Sequence, residues 1–272
     1  MTANVDILLP TFDPKPALIR RAIQSVIDQT HGNWSLYVVQ DGGEQALTET
    51  IEAPGDARVH FLSIPHQGKA AALNHAMKQG GAKYVAYLDD DDVWYPNHLQ
   101  VAISAMCDGQ IRLVHTDAYE VFLRRIGDRY QEVSRNILNR GPVSDLLLWY
   151  VSHINTVHER SLVEEAGPYD EKRQVFIDWD MLLRMAHVSR PHHVPIVTCE
   201  HNIYLDDGDR KNNTISRVHS ADPEYSRAMH DEMFARALSL LSARDVVSAL
   251  RHPGFSVLLI KHWLRAFSAG HA

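Results

Sequence analysis

Four short apolar runs, each ending in polar residues and separated by segments of helical periodicity, constrain this chain more than any other feature. Val5–Leu9, Trp34–Val39, Val59–Ile64 and Tyr84–Leu88 read as strands. Leu18, Ile19, Ala22, Ile23, Val26 and Ile27 recur at helical spacing after the first run, behind a helix-start signal at Asp13-Pro14. Ala72, Leu73, Ala76 and Met77 do the same after Gly68, and a short helix is expected from Glu44. Such alternation predicts an α/β fold, a Rossmann-like, mostly parallel sheet flanked by helices. Ligands bind such sheets beyond the carboxyl ends of the strands. The polar residues that follow each strand are therefore the informative ones: Thr11 and Asp13, Asp41, His66 and Gln67, and Asp89 to Asp92.

Further along, helices are expected over Pro96–Met106, Val143–Tyr150, Ser161–Ala166 and Asp178–His187, and strands over Ile111–His115 and Val194–Cys199. Residues 124–140 read as a hairpin or surface loop, 205–217 as a hydrophilic loop, and 222–272 as a C-terminal helical extension.

Composition removes several function classes. Hydrophobic residues at 45% and charged residues at 22% give a globular balance, and no apolar run reaches the roughly 18 residues of a membrane span. The opening MTANVDILLPTF lacks the basic segment and long apolar core of a secretory signal. Cys107 and Cys199 are the only cysteines, which argues against a disulfide scaffold or cysteine zinc site and fits a reducing, cytoplasmic setting. A net charge of −7 disfavours broad nucleic-acid binding. The 17 histidines show no convincing zinc spacing.

Four segments carry chemistry. Asp89-Asp90-Asp91-Asp92 follows a core strand directly. Crowded carboxylates repel, burial raises the cost of their charge, and Mg²⁺ or Mn²⁺ would relieve both; the alternative is a solvated acidic loop. Asp41 precedes two glycines and can accept hydrogen bonds from a base or ribose, or simply make a turn. Gly68-Lys69 opens a helix whose amino end favours anions, although its spacing is not that of a P-loop. Asp178-Trp179-Asp180 begins a helix, where an aspartate either caps it or serves as a general base. By default Trp94 and Trp179 are core residues. His201 approaches the metal or phosphates in one reading, and Lys211 lies in a loop that either closes over a ligand or stays at the surface.

Taken in order, these segments resemble the family 2 glycosyltransferases of GT-A fold, over residues 4–204. The resemblance rests on Ile7-Leu8-Leu9-Pro10-Thr11-Phe12, Ala22 to Thr30, Val38-Val39-Gln40-Asp41-Gly42 and Gly68 to Asn74. It continues through Leu88 to Trp94, Glu165-Ala166-Gly167-Pro168-Tyr169-Asp170-Glu171 and Asp178 to Arg184. It implies that Thr11 and Asp41, with Asp13 nearby, bind the nucleotide, and that Lys69 sits near its phosphates. Asp89 and Asp90 would lie against the ribose or donor sugar, Asp91 would hold the divalent cation, Asp92 would support the loop, and Asp178 would be the base. Trp94, Trp179, Asp180, His201 and Lys211 become candidates for acceptor or lid contacts. Ile177 stands where relatives often carry glutamate, and Leu73 where many carry arginine.

The implied activity is metal-dependent, inverting transfer of a sugar from a nucleotide-sugar, a UDP-sugar first, to a hydroxyl of a glycan, lipid-linked or small-molecule acceptor. The implied organisation is a GT-A domain over 1–218, with a nucleotide-binding half over 1–117 and an acceptor half over 118–218, followed by the extension over 219–272. The extension would serve peripheral membrane contact or self-association. Two other readings remain open at this level. One is a catalytically silent nucleotide-sugar or glycan-binding module. The other is a haloacid-dehalogenase-like phosphatase, whose Asp-x-Asp-x-Val pattern Asp89–Val93 satisfies.

Overall fold

Strand β1, Val5–Thr11, is buried at every position and lies between β2, Trp34–Asp41, and β4, Tyr84–Tyr87. The structure is a computed structural model that describes residues 4–43, 47, 55–127, 129–138, 153–205, 221–242 and 245. Strand β3, Val59–Ile64, extends the sheet beyond β2, and all four strands are parallel. Continuous apolar runs, rather than alternating ones, are what burial on both faces demands. Ile7 and Leu9 share one core with Ile19 and Ile23 of α1, Pro16–Ile27. Leu8 shares the other with Leu73 and Ala76 of α2, Lys69–Gln79.

Helix α1 begins later than the Asp13-Pro14 signal suggests. Lys15 is its N-cap residue and makes no side-chain cap, while Pro16 takes the first helical position. Asp13 stands upstream at φ 45°, a left-handed conformation that a short polar side chain tolerates.

Past β4 the sheet becomes mixed. Its order is β3-β2-β1-β4-β8-β6-β9-β5, with β7 on β6. Strand β8, Thr156–Glu159, runs antiparallel to both β4 and β6, Leu113–Ile126. Strand β9, His192–Tyr204, runs parallel to β6, and β5, Val93–Trp94, pairs antiparallel with β9. Strand β7, Arg129–Leu138, returns as a hairpin on β6, so the expected strand ending at His115 in fact continues to Ile126. Strands β5 and β8 are two and four residues long, too short for any periodicity to announce them.

The remaining described helices are α3, His98–Ala105, α4, Arg160–Ala166, α5, Ile177–Val188, and α6, Pro223–Leu240. Asp222 caps α6 by accepting from the Tyr225 N–H at 2.9 Å. Met233, Phe234 and Ala237 of α6 join the core that contains Trp179 and Leu182 of α5. The expected helices from Glu44 and over Val143–Tyr150, the 206–217 part of the hydrophilic loop, and the 246–272 part of the tail lie outside the described residues. Among the described residues no helix is long and apolar enough to cross a membrane. Cys107 is exposed, Cys199 is buried, and both are free.

A buried ion pair secures the end of the sheet away from the polar strand ends. Arg160 at the start of α4 donates to Asp6 of β1, which is 2% exposed and also accepts from the Ala82 N–H at 2.9 Å. The same guanidinium donates to the Ala82 and Met77 carbonyls at 2.8 and 2.9 Å. Removing one partner leaves the other charge buried alone. Asp6→Ala is therefore expected to lower unfolding free energy by about 3–5 kcal/mol in urea titration at pH 7. A loss below about 1 kcal/mol, the range of surface pairs, would contradict this account.

Candidate active site

Lys69 is the first residue of α2, placed by Gly68, whose φ of 99° turns the chain into the helix. Its ammonium donates to Asp89 Oδ1 at 2.8 Å and to Asp178 Oδ2 at 3.0 Å. Asp89 follows β4, and Asp178 lies in the first turn of α5 with 3% of its side chain exposed. One positive charge thus joins two carboxylates from distant parts of the chain. Thr11, at the end of β1, donates its hydroxyl to Asp90. The structure therefore brings Thr11, Lys69, Asp89, Asp90 and Asp178 together at the carboxyl ends of β1 and β4. It adds His153, whose Nδ1 stands 3.3 Å from Asp178 Oδ1. No motif surrounds His153 in the sequence, so nothing there singles it out.

The acidic tip is strapped to β9. The Asp91 carbonyl accepts from Asn202 Nδ2 at 2.8 Å, the Tyr204 hydroxyl at 3.1 Å and Arg21 Nη2 at 3.1 Å. Asp92 is fully buried; its Oδ1 accepts from the Asn202 N–H at 2.8 Å, and its Oδ2 lies 3.2 Å from His201 Nδ1. Asp89, Asp90 and Asp91 keep partial exposure. Among the described residues the Asp91 carboxylate accepts no hydrogen bond, while its carbonyl takes three.

This crowding separates the carboxyls by proton affinity. Burial opposes ionisation of Asp89, yet the Lys69 ammonium holds it down to about 2. Burial pushes Asp90 up to about 7, with the Thr11 bond working the other way and the Asp89 charge adding to the rise. Burial and the charges of Asp92, Asp90 and Asp89 push Asp91 well above the usual carboxylate range. Burial disfavours a charged His201, but the adjacent Asp92 raises it to about 9.

No cluster of three metal-ligating side chains occurs among the described residues. The donor set nonetheless fits a hard cation of the kind that takes one or two carboxylates and completes its shell with water and phosphate oxygens. Asp91 is the carboxylate that accepts no hydrogen bond among the described residues, with His201 opposing only part of the effect of its acidic neighbours.

Asp41 builds the floor beside this cluster. Its carboxylate accepts from the Gln67 and Gly68 N–H groups at 2.7 and 2.8 Å, and His66 Nδ1 lies 2.9 Å away. Both glycines after Asp41 are required by close approach. A Cβ on Gly42 would lie 2.7 Å from the His66 Cβ, and one on Gly43 would lie 2.3 Å from Asp13 Oδ1. Among the described residues, Asp13 and Phe176 are the non-glycine residues with positive φ, at 45° and 55°. Phe176 immediately precedes α5, where its ring packs against Trp179, so backbone strain is stored next to Asp178.

Other sequence candidates are not brought to the cluster. Trp94 is buried, donates Nε1–H to the Ile154 carbonyl at 2.8 Å and stacks on His98. Trp179 is buried against Phe176 and His230. Asp180 accepts from Arg184 Nε at 2.9 Å and Arg236 Nη1 at 2.7 Å, with Arg173 at 3.8 Å, and so fastens α5 to α6. The contacts described for these three are core-packing contacts for the tryptophans and ion pairs for Asp180. Lys211 lies outside the described residues. Asn74 links α2 to the segment before α5: its Oδ1 accepts from the Tyr169 N–H at 2.9 Å, and its Nδ2 donates to the Tyr169 carbonyl at 3.0 Å. A separate cavity of about 300 Å³, lined by Leu183, Arg184, His187, Arg236 and Ser239, contains none of the clustered residues.

The architecture is the GT-A glycosyltransferase fold. S. aureus TarS 1–349 in complex with UDP-GlcNAc superimposes with a TM-score of 0.62, at 13% identity over 93% of this chain and 75% of that one. The mannosyltransferase PcManGT from Pyrobaculum calidifontis, in complex with GDP-Man and Mn2+, gives 0.60 at 16% identity over 98% of this chain and 81% of that one. Residues 6–165 match Glycosyl transferase family 2, and the chain belongs to that family of glycosyltransferase enzymes. The Escherichia coli protein named UDP-Glc:alpha-D-GlcNAc-diphosphoundecaprenol beta-1,3-glucosyltransferase WfgD is 31% identical over 118 residues, 43% of this chain and 46% of that protein. Curated relatives of this kind are matched over 16% to 65% of their own length.

Asp91 offers a direct test of the crowding. Its proton affinity is raised in the fold, so its ionised form costs stability above that raised value, and protonation relieves the cost as pH falls. In chelator, Asp91→Asn is expected to raise the melting temperature at pH 8, with the gain shrinking toward pH 4. A variant that melts lower than wild type at pH 8 would contradict the placement.

Proposed function

We propose that this chain transfers a sugar from a nucleotide-sugar, a UDP-sugar first, to an acceptor hydroxyl with inversion at the anomeric carbon. The observation that carries the reading is the Lys69 ammonium between Asp89 and Asp178, which sets a buried carboxylate beside the acidic tip. The donor preference is supported by the UDP-GlcNAc bound to TarS and the UDP-Glc in the name of WfgD, while GDP-Man in PcManGT keeps GDP-sugars in the test.

In this reading Thr11, Asp13, Asp41, Lys69, Asp89 and Asp90 form the donor end. Asp91 would hold Mn²⁺ or Mg²⁺, which when bound would supply positive charge to the diphosphate. The acceptor oxygen attacks the anomeric carbon from the face opposite the diphosphate. As that carbon–oxygen bond forms, the bond to phosphate breaks and the electron pair leaves with the nucleoside diphosphate. Asp178 takes the acceptor proton. One displacement inverts the centre, and no covalent sugar-enzyme intermediate forms. His201, paired with Asp92, adds positive charge near the tip.

In the same reading the sequence divides into a donor half over 1–117, an acceptor half over 118–218 and an extension over 219–272. The acceptor is a glycan, lipid-linked or small-molecule hydroxyl, in a cytoplasmic setting or at the inner face of a membrane.

A thermal-shift panel of UDP, UDP-glucose, UDP-N-acetylglucosamine and GDP-mannose, with and without Mn²⁺, tests the donor. A ligand at one hundred times its dissociation constant should stabilise the chain by about 2.7 kcal/mol. Asp91→Asn should lose the Mn²⁺-dependent part of that gain. Asp178→Asn should keep donor binding while turnover falls about 10²–10⁴-fold. Near-normal turnover of Asp178→Asn would refute the base assignment.

A further inference from the structure

We propose that His153 is a positioning residue that holds the second oxygen of the Asp178 carboxylate, an inference that rests on reading Asp178 as the base. His153 occupies a one-turn 3-10 segment, His153–Asn155, just before β8. That turn is pinned from both sides. Trp94 Nε1 donates to the Ile154 carbonyl at 2.8 Å, and Asn155 Nδ2 donates to the Thr116 carbonyl at 2.6 Å.

The imidazole lies flat on Tyr87, with ring centroids 4.2 Å apart and planes 13° apart. Tyr87 is itself held by a 2.7 Å hydrogen bond between its hydroxyl and His158 Nε2. So fixed, Nδ1 lies 3.3 Å from Asp178 Oδ1, near it but outside hydrogen-bond geometry, while Lys69 occupies Oδ2. That distance is longer than an ordinary N–H···O bond, as catalytic hydrogen bonds often are before substrate arrives.

The opposite nitrogen decides the tautomer. His153 Nε2 is buried and has no hydrogen-bond partner among the described residues. A buried N–H without an acceptor is rarer and costlier than a buried lone pair without a donor. The proton therefore belongs on Nδ1, the nitrogen beside Asp178. Burial lowers the proton affinity of the ring, with Asp178 opposing and Lys69 adding to the effect, so the ring is neutral near pH 7. Two donors from separate elements, α2 and the 3-10 turn, thus fix the plane of a carboxylate carried by a third.

The titratable and charged groups facing this pair are Lys69 from α2, Asp89 after β4, Tyr87 on β4, His158 on β8 and Tyr169 ahead of α5. Loss of a donor to the ionised form raises the proton affinity of a carboxylate. The pH at which the base becomes active would then rise.

The test compares His153→Phe, which keeps the stack and removes both nitrogens, with His153→Asn, whose amide can donate from near the Nδ1 position. First, the ligand-free, 15N-histidine-labelled chain is examined by NMR at pH 7, with the His153 signals assigned by their loss in His153→Phe. The Nδ1–H tautomer is expected, and a dominant Nε2–H tautomer would overturn the proposal. Second, UDP release from UDP-glucose and UDP-N-acetylglucosamine is followed against pH. His153→Phe should lower kcat about 10–100-fold with donor KM unchanged, and shift the acid limb upward by about one pH unit. His153→Asn should recover most of both changes. If Asp178→Asn is inactive but His153→Phe keeps the wild-type rate and acid limb, the positioning role fails and the base reading stands. If Asp178→Asn itself turns over normally, the base reading fails and this inference falls with it.

Discussion

A single lysine ammonium shared by two carboxylates underlies the organisation of this molecule. Lys69 touches Asp89 at the tip of β4 and Asp178 at the head of α5. Without a positive charge there, two aspartates from different elements could not approach in a half-buried site, because each would face the other's field at reduced screening. Much of the surrounding architecture serves that meeting. Asp41 fixes the turn that launches α2, Gly68 gives the turn its left-handed step, and Asn74 ties the same helix to the segment leading into α5.

A second constraint separates what the acidic run does from how it is held. Four consecutive aspartates would be unstable if all four sought the same role. The fold divides them: the Asp92 carboxylate is spent on β9, and the Asp91 backbone is gripped while its carboxylate is left to find compensation elsewhere. Thr11 and Lys69 attend to Asp90 and Asp89. A carboxylate at a rigid point that receives no side-chain donor is chemically suited to ligate a hard cation.

Much of the parallel half was legible in the sequence. The run Val5–Leu9 is nearly all apolar because both faces are covered, Trp34–Val39 is partly exposed and Val59–Ile64 lies at the sheet edge, yet the helical periods between the runs leave little freedom. The mixed half was less legible. Strand β8 is four residues long, and β6 runs on past His115, where the expected strand stops, to Ile126. Its pairing with β9 is set by a partner about 80 residues away, which no local window contains.

The sequence alone determined the fold class, the side of the sheet where ligands bind, and a run of carboxylates placed there, since these follow from local periodicity and strand polarity. Only the tertiary structure decided which side chains meet. Asp178 and Asp180 look equivalent in the sequence, yet two positions on a helix are turned roughly 200° apart. One therefore faces Lys69 and His153, and the other faces Arg184 and Arg236. His153 carried no signal of its own, because its place beside Asp178 depends on sheet order and on a pinned turn rather than on its neighbours in the chain.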